Sequence, residues 1–201
     1  MSEATGVVES PSLTGWFLRD ATITVVFTTA MWGLNTWDLT NAFPAVTVLC
    51  AALGFIAGYS LCYVYHEWGH LLGAKLSGGH MPLAPYSGPI IGKFAIADHS
   101  RRQFIWLSWG GVIAYTATMV VAVAVHTSGS LGLSGAGFAV GALAFNAQSL
   151  SVDVPQIWRV TRGADIAATS AAGANAQIIL RRTWQSWTVL AILLVIWNVL
   201  R

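Results

Sequence analysis

The chain has 201 residues, of which ten are Lys or Arg and eight are Asp or Glu; charged side chains make up 9% and apolar ones 55%. So few charges cannot cover a water-soluble particle of this size, and so much apolar content excludes a disordered chain, leaving an integral membrane protein in a lipid bilayer. The formal net charge is only +2, with no basic stripe carrying interleaved aromatics, so nucleic acid is not an expected partner.

Five stretches are long and apolar enough to read as spans. The first, Ala21–Trp37, is rich in threonine and is the weakest. Glu3, Glu9 and Asp20 precede it without a basic n-region, so no cleaved signal peptide is expected. The second runs from Ala45 to about Lys75, and it holds both cysteines, Cys50 and Cys62. Twelve residues apart on one helix they stand about 18 Å apart, so they read as packing residues and not as a disulfide. Segment 77–100, with its many Gly and Pro, predicts an irregular hairpin or loop at the membrane surface. The third span is Phe104–Val125, the fourth about Gly135–Trp158 and the fifth about Trp184–Leu200. Residues 163–177 read as a linker or a short surface helix.

Nine of the ten basic residues fall on one side of the membrane if the N-terminus is cytoplasmic, and only Arg201 falls outside. The expected fold is therefore all-α: a polytopic bundle of about five spans, N-in and C-out, with one cytoplasmic hairpin. Tryptophans 37, 106, 158, 184 and 187 sit near span ends as an ordinary aromatic belt. Gly54/Gly58 and Gly137/Gly141 form small-xxx-small pairs, which predict close helix packing within the chain or against another copy or a partner.

Near the end of the second span the chain reads Tyr65-His66-Glu67-Trp68-Gly69-His70, an H-E-x-x-H motif on a helix. Residues four apart share a face, so the two imidazoles are placed to grip one metal ion, and Glu67 is placed to act as general base. Polar groups inside an apolar span are costly and mark function; the competing reading is that they bond neighbouring helices. A catalytic zinc site needs a third protein ligand. Asp153, six residues inside the fourth span, lies at the depth of His70 and is the first choice; His80, Asp98 and His99 are rivals from the loop, and His126 lies on the opposite side. Two imidazoles and a carboxylate favour zinc, one ion per chain.

HEWGH on a membrane helix, followed by a Gly/Pro-rich hairpin and a later span bearing an aspartate, resembles the site-2 protease class of intramembrane zinc metalloproteases. The resemblance covers a three-span core at 45–158, with residues 1–44 as a tail and first span and 159–201 as a linker and last span. It implies that His66, His70 and Asp153 bind zinc, that Glu67 activates water, and that Asn146 helps orient substrate or an oxyanion. The middle-span element aligns with Gly110-Gly111-Val112-Ile113-Ala114, where the family's Pro and Asn are missing; no glycine follows Asp153, and Pro155 comes after it. The function implied is cleavage of a membrane-anchored protein near the cytoplasmic leaflet, in a bacterial inner membrane. The alternative is a non-proteolytic structural or assembly subunit of a larger membrane complex, and a transporter has almost no further ionisable residues to line a pathway.

Overall fold

The computed structural model describes residues 11–41, 43–173 and 175–199. Five long helices and one short one account for most of them: α1 Leu13–Asn41, α2 Pro44–Leu76, α3 Arg101–Thr127, α4 Gly132–Thr161, α5 Ile166–Gly173 and α6 Ala176–Val199. Two of these, α2 and α3, are long and apolar enough to cross a membrane. The first four expected spans each fall within a long helix, the fifth falls in α6 except for Leu200, which lies outside the described residues, and the Ala-rich linker contributes α5.

The helix limits follow from local chemistry. Pro44 opens α2 at its first turn, where a missing N–H costs nothing. Ser100 and Gln103 form a reciprocal capping box at the start of α3. Gly78 and Gly163, just past α2 and α4, take φ values of +75° and +100°, a region that glycine enters without strain. The hydroxyls of Thr22, Thr24 and Thr28 in α1 each donate to the carbonyl four residues back, at 2.8 Å. These threonines thereby satisfy their hydroxyls within the helix in apolar surroundings.

The central helix is α2, which packs against α3 and α4 over most of its length, with α1 and α6 at the edges. Four glycines on it make this possible. A Cβ on Gly54 or Gly58 would run into the backbone of Ser134 or Phe138 on α4, and one on Gly137 or Gly141 into that of Ala51 or Phe55 on α2. The two small-xxx-small patterns therefore face each other within the chain. Lower down, Gly69 and Gly110 interlock in the same way, and Gly73 meets the Trp106 carbonyl of α3. The main core gathers Leu61, Cys62, Tyr115, Phe138 and Phe145 between these three helices. Outward faces carry large apolar side chains, with Val48 68%, Ile113 65% and Trp32 63% exposed, while Glu67, Asn146 and Ser134 are buried. Apolar outside and polar inside is the pattern of a chain solvated by lipid.

Segment 77–100 holds one antiparallel bridge, Leu83 to Gly92, and a 3₁₀ turn at Ile96–Asp98. It folds back as a hairpin against the lower ends of α1 and α2, where Trp16, Leu71, Ala84 and Ile91 form a second, smaller apolar cluster.

Candidate metal and acid-base site

His66, Glu67 and His70 sit on the last turns of α2, where helical spacing brings the two histidines onto one side. Their Nε2 atoms are 3.0 Å apart. His70 Nδ1 lies 2.9 Å from the Leu107 carbonyl, which can only accept, so that nitrogen carries the proton and Nε2 presents a lone pair. A carbonyl behind the imidazole is how metal-ligating histidines are oriented. His66 Nδ1 is buried and without a hydrogen bond, close against Gly111. A Cβ on Gly111 would lie 2.5 Å from His70 Cε1 and 2.8 Å from His66 Nδ1. Gly111 is thus the floor on which both rings rest. The middle-span element 110–114 already contains it; what the sequence does not carry is its contact with both histidines.

Asp153 is on α4 and shares with His66 a cavity of about 400 Å³, also lined by Tyr59, Tyr63, Gln148 and Ser149. Its Oδ2 atom is buried with no hydrogen-bond partner. Among the described residues, no three His, Cys, Asp or Glu side chains are gathered closely enough to form a metal cluster. The structure therefore brings His66 and His70 together and leaves Asp153 facing the same cavity from the opposite helix. The donor chemistry fits a divalent ion of zinc's preference: two converging imidazole nitrogens, one fixed in tautomer, and an unsatisfied buried carboxylate oxygen.

Glu67 is 8% exposed and contacts the hairpin, where the Ile91 backbone N–H donates to its Oε2 at 3.4 Å. Below it, Asp20 of α1 accepts from Trp68 Nε1 at 2.7 Å and pairs with Arg19 at 2.7 Å.

Asn146 is 3% exposed and serves as a brace. Its amide nitrogen donates to the Tyr115 carbonyl of α3 at 3.1 Å and to the Ala142 carbonyl at 2.9 Å, so both of its protons are committed. An oxyanion role needs a free donor, and this side chain has none. The loop rivals lie elsewhere. His99 stacks on Phe94, its Nδ1 faces the Ala95 carbonyl and its Nε2 accepts from the His80 backbone, all on an exposed surface. His126 is exposed at the far end of α3.

Comparison with protein-family models, characterised proteins and solved structures finds no match to this chain.

Proposed function

We propose that the protein is an intramembrane zinc metalloprotease of the site-2 protease type, cleaving a membrane-anchored protein at a site between α2, α3 and α4. The observation that carries the reading is the pair of histidine Nε2 atoms 3.0 Å apart on a glycine floor, next to a glutamate, inside an apolar bundle. His66, His70 and Asp153 would hold the ion, the Asp153 carboxylate reaching the pair across the cavity it shares with His66. Zinc bound there supplies an electrophile for the peptide carbonyl and acidifies water. Leu107 holds the His70 proton on Nδ1, Gly111 leaves room for both rings, and Glu67 accepts the proton of the attacking water on its carboxylate. In the membrane the chain takes five spans with the N-terminus and the site on the cytoplasmic side, as the distribution of Lys and Arg favours.

The test is Glu67→Gln in purified protein with a reconstituted membrane-anchored substrate. Cleavage is expected to be lost while metal stays bound; retained turnover would reject the role given to Glu67.

A second reading, a protease-like subunit without activity, is favoured by Asp153 standing apart from the two histidines among the described residues. It predicts stable co-purification with partner subunits, unaffected by Glu67→Gln.

A further inference from the structure

We propose that the 81–93 hairpin is a tethered cover over Glu67, and that α1 decides whether it is shut. The proposal rests on Glu67 being the reacting base, and its test is chosen so that the two ideas fail separately.

The hairpin has little to hold it closed by itself. It contains Pro82, Pro85 and Pro89 and only one bridge, with Ala84 N–H donating to the Ile91 carbonyl at 3.0 Å and Lys93 N–H to the Pro82 carbonyl at 3.0 Å. Two short strands with that ladder are not stable alone in water. Their position is fixed from outside, by two side chains in the first two turns of α1 and by Ser12 just before it. Trp16, fully buried, donates from Nε1 to the Ala84 carbonyl at 2.9 Å. Arg19 donates to the Gly88 carbonyl at 2.8 Å at the hairpin tip. The Ser12 backbone N–H donates to the Tyr86 hydroxyl at 2.5 Å. All of these reach the hairpin across about 70 residues of sequence, and none touches the histidine pair.

What the anchors press into place is Ile91. It is fully buried, it packs with Trp16, Leu71 and Ala84, and its N–H is the hydrogen-bond partner of the Glu67 carboxylate. With the hairpin down, Glu67 is only 8% exposed and one of its oxygens is engaged. A water molecule cannot donate to Glu67 Oε2 from the side that the Ile91 N–H already occupies. The cluster beneath the hairpin is also separate from the main core, so the cover can lift without unpacking α2 from α3 or α4. Release of the anchors therefore exposes Glu67 while leaving the bundle and the histidine pair intact.

The experiment uses thiol labelling of Ile91→Cys in the full-length, detergent-purified chain, with the unsubstituted protein supplying the background from buried Cys50 and Cys62. Trp16→Phe with Tyr86→Phe removes two anchors while keeping the rings that pack beneath the hairpin. Labelling by a polar maleimide is expected to be slow with the anchors present and at least tenfold faster in the double variant. Hydrogen exchange of the peptide spanning 83–93, in the chain with native Ile91, is expected to change the same way and serves if Ile91→Cys does not fold. Equal rates with and without the anchors would overturn the cover. Where the protein cleaves, the double variant is expected to raise kcat/KM several-fold, and faster labelling with unchanged kcat/KM would also overturn it. Faster labelling in a protein that cleaves nothing would leave the cover standing and reject the protease reading instead.

Discussion

At the scale of single residues the account depends on two imidazoles sharing a small space. Gly111 is the most exacting position, because even one methyl group there meets both rings. Gly111→Ala is expected to weaken metal binding at least tenfold while α3 stays helical, since alanine suits a helix better than glycine; titration with a competing chelator, beside a circular dichroism spectrum, checks this. Trp68→Phe makes a second case. It removes the 2.7 Å donor to Asp20, which is 5% exposed, and leaves that carboxylate with Arg19 alone. A loss of about 1–3 kcal/mol follows, measured as a lowered midpoint of thermal unfolding in detergent. The histidine pair and Glu67 were legible in the sequence because four-residue spacing on a helix is fixed geometry. The engagement of Asn146 was not legible, because it depends on where the Tyr115 carbonyl of the neighbouring helix lies, and no periodicity within α4 encodes that.

At the scale of elements the glycine contacts decide how closely the helices approach. Gly54 and Gly58 bring α2 onto α4, while Gly69 and Gly73 bring it onto α3, so one helix is shared by two close interfaces and the histidines stand near the second. Gly58→Val or Gly141→Val places a side chain against backbone that cannot yield locally. Either is expected to cost at least about 2 kcal/mol and to reduce metal binding together with stability. A variant that keeps the wild-type unfolding midpoint would contradict the packing described. The small-xxx-small spacing announced close packing, but a single sequence does not say which helix supplies the partner surface; the backbone answer is α4 for the first pair. The irregular hairpin was foreseen from its prolines and glycines. Its attachment to α1 was not, because Trp16, Arg19 and Ser12 reach it through backbone carbonyls and a tyrosine hydroxyl, contacts that leave no pattern in residue types.

At the scale of the whole molecule, apolar side chains face outward along the helices, while Asp20, Glu67 and Asn146 are buried between them. The buried Oδ2 atom of Asp153 has no partner to satisfy it. An ion taken up beside the two histidines would resolve that deficit, because it offers the carboxylate a positive charge in place of water. The measurement that tests the central claim most directly is the metal content of the detergent-purified protein, taken by elemental mass spectrometry for the wild type beside Asp153→Ala and prepared without chelators. The account predicts about one zinc per chain in the wild type, lost or sharply reduced in the variant. A wild-type protein that carries no metal, or an Asp153→Ala protein that carries as much zinc as the wild type, would contradict it.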